Sequence, residues 1–520
     1  MKPSKQKELP FADMQGLLRW GYGNLHFARY VLFQFGSSNG ARAWLSEVEP
    51  DITRAAEAFD ADPKENAINV AFTYDGIKMF ELNEPTLNTF PSELIEGMTT
   101  PHRQRILGDT GKSAPENWEW GWTDNKDPNA PKIHAVLLIY ASTSELLDAA
   151  CKKATHSFAA YNITLIKQMD TAPLARHENF GFRDGISQPV VEGLTDKDEE
   201  AKKTMRLQRE VKEAKEVKAV QTINEEKKAH CKPPPPIKLG EFCLGYSNAY
   251  GKQPLSPHIE ASEIKKVIKF KSRGNNDKGD LGLNGSYLVF RQLEQDVPQF
   301  WRFMLAQAKT DEEAIRLASK MVGRWPSGAP LVKSLEQDDP AQTRENCFGY
   351  KEEDPDGLKC PIGSHIRRTN PRDMLEDTPP QTAQEIVDRH RILRRGRNYG
   401  PRFGATANEI LAAVQAGTVN LAEKCGLMFI CLNANIQRQF EFVQHSWCNN
   451  AKFETLYDEV DAISGAPTDE MTATDNHFSL PGEIVRKRVS DVPRFVRVRG
   501  GAYFFMPGIQ ALKTLATKPL

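Results

Sequence analysis

One phrase recurs four times along the chain. An apolar run rich in β-branched and aromatic residues gives way to a few polar residues and then to an amphipathic helical pattern. It reads RYVLFQF then SSNGARAWL from Arg29, KIHAVLLIYA then STSELLDAACKKA from Lys132, SYLVFRQL then EQDVPQFWRFMLAQA from Ser286, and GLMFICL then NANIQRQFEFVQHSW from Gly426. Such apolar runs favour strands, and Ser, Asn and Asp at the junction suit helix N-caps.

Two phrases fall in each half, with further strands at INVAFTY and YNITLIKQM. This predicts an α+β chain of two ferredoxin-like domains, their antiparallel sheets packed together and their helices outside. A doubly wound parallel sheet fits less well, because no Gly-rich phosphate loop follows any strand. The expected bounds are 1–194 for the N-terminal domain, 195–240 for a connector and 241–520 for the C-terminal domain. The connector runs from a Lys/Glu-dominated segment, Thr195 to His230, into four prolines, Pro233 to Pro236. It reads as a solvated helix with i,i+4 charge pairs followed by a stiff extended link, a surface insertion without chemistry.

The 520 residues are enough for two domains with sizeable cores. A formal net charge of -1 gives no electrostatic argument for nucleic acid or an anionic membrane as partner. No run of about 18 apolar residues predicts a membrane span. The N-terminal MKPSKQKELPFADMQGLL does not read as a secretory signal, so a cytoplasmic setting is expected, with leaderless export or packaging in a compartment as alternatives. The eight cysteines contain no CxxC pair, which argues for reduced thiols over a disulfide framework or a structural zinc. The eleven histidines show no HExxH or paired-ligand spacing, which argues against a metal-dependent hydrolase.

Three stretches could carry chemistry. ENFGFRDGISQP, from Glu178, sets Arg183 and Asp184 between Gly181 and Gly185; CPIGSHIRRTNPRD, from Cys360, holds His365 before a run of arginines; DRHRILRRGRNYGPRFG, from Asp388, is denser still in arginine. Each alone has a bland reading: a turn aspartate, a structural histidine, solvated arginines. An arginine cluster in a chain of near-zero net charge also suits a ligand's carboxylates or phosphates, which Arg binds in planar bidentate fashion.

Taken in order, GFRDG, GSHIRRTNPRD and HRILRRGRNYG resemble the signature of the dye-decolorising peroxidases, and GMTTPHRQRILGDTG, ENWEWG, LASKMVGRWPSGAPL and VRVRGGAYFFMPG read the same way. The resemblance implies one haem b per chain, held mainly by the second domain. It implies a peroxidase that reduces hydrogen peroxide and oxidises aromatic donors such as dyes and phenols in one-electron steps through a ferryl intermediate. By residue, it implies His365 as axial iron ligand, Asp184 as distal carboxylate and Arg394 as distal arginine, with Arg395 as rival. Leu427 and Phe429 would cover the haem, and Arg367 would pair with a propionate. Glu441 is a candidate partner for the other imidazole nitrogen of His365, Tyr399 a candidate electron relay, and a homodimer a further expectation. The alternatives on the same fold are a haem carrier or sensor and an enzyme that removes haem iron. Asp184 and Arg394 together argue for the peroxidase, since a carrier needs neither.

Overall fold

A computed structural model describes residues 9–57, 64–122, 130–195, 235–259, 279–375, 377–420, 422–466, 476–482 and 484–517. The Lys/Glu segment and the first two of the four prolines lie outside the described residues.

All four phrases fold as strand then helix. In chain order the elements are β1 (Phe27–Phe35), α1 (Ser38–Val48), β2 (Asn66–Phe72), β3 (Ala135–Ala141), α2 (Ser144–Thr155) and β4 (Ile163–Asp170). The second half contributes β5 (Ser286–Gln295), α3 (Val297–Gln307), α4 (Asp311–Val322), α5 (His365–Thr369), β6 (Leu393–Arg394), β7 (Arg397–Tyr399), α6 (Ala407–Gln415), β8 (Gly426–Asn433) and β9 (Val496–Met506). The expected caps are in place: Ser37 accepts from the Gly40 amide, Thr143 from Leu146 and Asp296 from Gln299. After β8 the helical segment is π-wound over Gln437–Glu441 and Val443–Cys448, with Asn435 accepting from the Arg438 amide.

The strands form one antiparallel sheet in the order β4-β1-β3-β2-β9-β5-β8-β6, with β7 also on β8. The halves meet edge to edge at β2 and β9, where Phe72 pairs with Phe505, so they share a sheet rather than stacking as two layers. In the first half the strands lie in chain-order sequence 4-1-3-2. The second half repeats that sequence when β6 and β7 are taken as one broken strand. Helices cover one face of the first half: Val31, Phe33 and Phe35 share a core with Ala41, Trp44 and Leu147. The other face, with Tyr30, Leu32 and Leu138, is covered by the N-terminal segment through Met14, Leu17 and Leu18. That is why β3 is buried at every position and reads as an unbroken apolar run.

A buried polar knot reinforces the joint. Arg103 Nη1 donates to both oxygens of Glu441 at 2.7 and 2.8 Å, and the Tyr503 hydroxyl donates to Glu441 Oε1 at 2.8 Å. Cys347 is disulfide-bonded, which departs from the expectation of reduced thiols. A disulfide needs proximity in space, and sequence spacing says nothing of that. Cys151, Cys243, Cys360, Cys425, Cys431 and Cys448 are free and buried. Among the described residues no helix is long and apolar enough to cross a membrane.

Among the described residues, Glu441→Ala leaves buried Arg103 with only the half-exposed Glu96, at 3.2 Å, as an ion-pair partner. The expected cost is about 3 kcal/mol in urea unfolding, the low end for a broken buried pair. A loss under about 1 kcal/mol would show that the knot is dispensable.

Candidate active site

Side chains alternate along a strand, so odd-numbered residues of β5 and β8 share one face. On the second half of the sheet that face lines a cavity of about 310 Å³, through Arg291, Leu293 and Gln295 of β5 and Leu427 and Phe429 of β8. The two residues expected to cover an apolar ligand are therefore in the wall. Register also decides between the two candidate arginines. Arg394 pairs with Cys431 and so shares the face of Leu427 and Phe429. Arg395 turns to the opposite face, where its guanidinium donates to the carbonyls of Leu17, Leu18 and Arg19.

Tyr399 pairs with Gly426, one residue out of phase with Leu427. It is buried with Met428 and Ile430 on the far face of the sheet, and it does not line the cavity. The electron-relay expectation at Tyr399 thus meets a residue that faces away from both the cavity and the surface.

The first half reaches the cavity through the loop 176–188. Gly181 has φ +96, and a Cβ there would lie 2.8 Å from Ala407 Cα, so both the backbone and the packing require glycine. Gly185 has φ +78 with open space around it, so only its conformation demands glycine. Between them Asp184 accepts from Arg394 Nη1 at 2.8 Å and from the Gly185 amide at 2.6 Å. Burial alone would push the Asp184 carboxyl up; the Arg394 charge and hydrogen bond, with that amide, outweigh it and hold it below the usual carboxylate range.

A different wall carries His365, the first residue of α5. Its Nδ1 lies 2.9 Å from Asp461 Oδ2 and donates to it, which leaves Nε2 as the free ring nitrogen. Asp461 is fully buried and its other oxygen accepts from the amides of Ile463 and Ser464, both at 2.8 Å. Burial opposes charge on both groups, yet their mutual attraction prevails: the imidazole is raised and the carboxyl lowered from their ordinary values. Asp461 occupies the place expected for Glu441, which is held instead by Arg103 and Tyr503. No spacing or motif marks Asp461, 96 residues downstream of His365.

Arg367 also departs from expectation. A helix turns about 100° per residue, so Thr369 shares the cavity face with His365 while Arg367 points away. Arg367 is fully buried against Asp354 at 3.1 Å and the carbonyls of Cys360, Asp354 and Pro355. The cavity receives other cations: Arg324, Arg372 and Arg391 line it with Arg394. Burial pushes Arg324 and Arg391 down to about 10, with Arg372 adding to both. Arg391 has one carboxylate, Asp388, at 4.0 Å, while Arg372 donates to the Asn346 and Phe348 carbonyls. Among the described residues, this end of the cavity is a set of buried guanidiniums short of fixed negative charge, so an anionic ligand is its natural complement.

No protein-family model matches the chain. A dye-decolorizing peroxidase of Mycena epipterygia is 28% identical over 94% of this chain and 84% of its own length. The structure of an ancestral D-type dye decolorizing peroxidase is 25% identical, with a TM-score of 0.70 over 98% of this chain and all of that one. A dye-decolorizing peroxidase in complex with 2,6-dimethoxyphenol is 25% identical, with a TM-score of 0.68 over the same shares.

In the haem-free protein the His365–Asp461 pair has a stability signature whose sign follows from the shifts. A raised imidazole stabilises the fold below its ordinary value and loses that contribution as pH rises through the raised one. A lowered carboxyl stabilises above its ordinary value and loses the contribution as pH falls. The stability difference between wild type and Asp461→Asn is therefore expected to be largest between the ordinary carboxylate and imidazole values and to shrink as pH rises through the raised imidazole value, in denaturant titrations. A difference that does not change with pH would sink the pairing.

Proposed function

The chain belongs to the dye-decolorising peroxidase family, and we propose that its own residues divide that family's reaction between two walls of one cavity. The protein is a peroxidase that uses hydrogen peroxide to oxidise aromatic donors. The observation that carries the reading is the convergence on one cavity of His365, backed by Asp461, and of the Asp184–Arg394 pair.

The residues fit haem b. His365 offers Nε2 to iron, and Asp461 on Nδ1 makes the imidazole a stronger electron donor. Leu427, Phe429 and Leu293 offer an apolar wall to a flat ring, and Arg372 and Arg391 offer charge to the ring's two carboxylates. Bound haem would supply the iron that takes up peroxide and the electrons that cleave it. We read the halves, 1–194 and 241–520, as ferredoxin-like domains, with one haem mainly on the second; the repeated strand order supports this.

Asp184 then acts as the proton carrier. Held ionised by Arg394, it accepts the proton of entering peroxide and returns it to the departing oxygen as water forms. Arg394, beside it, stabilises the negative charge that develops on that oxygen. The ion pair also explains why one residue comes from each half: both must be assembled before either works.

Asp184→Asn is expected to keep its haem absorption band and to slow the peroxide step by about 100-fold or more in stopped-flow measurements. Wild-type speed in that variant would remove Asp184 from the mechanism. Arg394→Leu takes away the charge that lowers Asp184, so the acid limb of the pH profile is expected to move to higher pH. His365→Ala is expected to lose tight haem binding; retention of both haem and turnover would overturn the ligand assignment.

A further inference from the structure

The loop that carries Asp184 is closed by a single residue, Glu178. Its carboxylate gathers three N–H donors: the Phe182 amide on Oε1 at 2.9 Å, the Phe180 amide on Oε2 at 3.0 Å, and Gln295 Nε2 on Oε2 at 2.6 Å. Its backbone closes the same turn, because the Glu178 amide donates to Phe182 O and its carbonyl accepts from the Gly181 amide, both at 2.9 Å.

Gln295 extends this clasp across the molecule. It ends β5 in the other half of the sheet, and its Oε1 accepts from Asn179 Nδ2 at 3.3 Å. Asn179 donates also to the Gly426 carbonyl at the start of β8, at 2.8 Å. Trp301 of α3 donates to the Phe180 carbonyl at 3.2 Å, and the Phe180 and Phe300 rings stack with centroids 4.3 Å apart. Two residues past Phe182 the chain reaches Asp184, whose amide donates to Arg176 O.

The clasp is made in a costly way. Among the described residues Glu178 has no ion-pair partner, and it lines the cavity beside Asp184. Burial, with Asp184 adding its charge, pushes the Glu178 carboxyl up to about 7. A neutral side chain would avoid that cost but could not make the same bonds. An ionised carboxylate has lone pairs for three donors, whereas an amide or a protonated acid would turn a donor of its own toward N–H groups.

We propose that Glu178 is a positioning residue for peroxide cleavage: its carboxylate holds the 178–184 loop against β5 and so sets how Asp184 meets Arg394 in the cavity. The proposal rests on the role given to Asp184 above. A carboxylate that must transfer a proton along a short path tolerates little displacement, and support within about 0.5 Å is what such a group requires. Burial opposes the charge on Asp184, and Arg394 on β6, the Gly185 amide and His365 on α5 sustain it; Glu178 acts on Asp184 only by holding its loop.

The test is a mutant cycle on haem-loaded protein, following the peroxide step by stopped flow across pH, with the haem absorption band as control. Glu178→Gln is expected to retain haem and to slow the step about 10- to 100-fold. The loss should be largest above about pH 7, where Glu178 is ionised, and should narrow below it, where the wild-type carboxyl is itself protonated. In an Asp184→Asn background the same change should cost less than about 2-fold, because the residue it positions is gone. Glu178→Asp, which keeps the charge, should recover part of the rate.

Wild-type speed in Glu178→Gln would overturn the proposal. So would an equal loss in both backgrounds, which is the mark of a purely structural role. If Asp184→Asn alone runs at wild-type speed, the role of Asp184 itself fails. Should Glu178→Gln not fold, Gln295→Met cuts only the tie to β5 and must show the same dependence on Asp184; additive losses there also overturn the proposal.

Discussion

A strand sends alternate side chains to opposite faces, and in this protein the second half of a single sheet spends one of those faces on a cavity. The sheet's share of the site hangs on that alternation. Arg394, Leu427 and Phe429 share the wall because they sit in phase across β6 and β8, and Arg395 and Tyr399 are lost to the far face because they sit one residue out. The far face is not free to compensate, since the N-terminal segment packs on it and Arg395 is used there to satisfy Leu17, Leu18 and Arg19 carbonyls. A shift of β8 by one residue would exchange the cavity wall for core and leave neither intact.

Buried charge is handled in two ways. Where the protein itself needs a charge, the partner is built in: Asp461 for His365, Glu441 for Arg103, Asp354 for Arg367; the more open Asp184–Arg394 pair at the cavity wall is matched in the same way. Where the cavity ends at Arg324, Arg372 and Arg391, guanidiniums are held by backbone carbonyls or one distant carboxylate and keep their positive field. Carbonyls orient a cation without neutralising it, so this end stays prepared for an anion from outside the chain. Glu178 is the reverse case, a carboxylate held by neutral donors alone, and its cost is accepted where the loop of one half must be fastened to the strand of the other.

Much of the fold was legible. All four strand–helix phrases fold as such, because periodicity and capping residues act within a few positions and need no distant partner. The edge-to-edge joint at Phe72 and Phe505 was not legible, since an edge strand carries no mark of which other edge it will meet. At the site, Asp184, His365, Arg394, Leu427 and Phe429 are brought to one cavity as the motifs implied. Three expected positions differ in the structure. Arg367 lies close to His365 in the chain and Tyr399 close to Arg394, yet helical rotation and strand phase turn both away from the cavity. The contact expected of Glu441 is a long-range one, and Asp461 makes it.

By itself, then, the sequence determined the local elements and the chemical kind of the candidate groups. Strand propensity, caps, positive-φ glycines and an ionisable side chain's chemistry are properties of short stretches. Only the tertiary structure decided which of these groups meet: that Arg394 and not Arg395 faces Asp184, that Asp461 backs His365, and that Glu178 fastens its loop through Gln295. The pairings join residues between 96 and 210 positions apart. At that range no pattern in the chain encodes a contact, and the register of the sheet and the rotation of a helix settle what can touch.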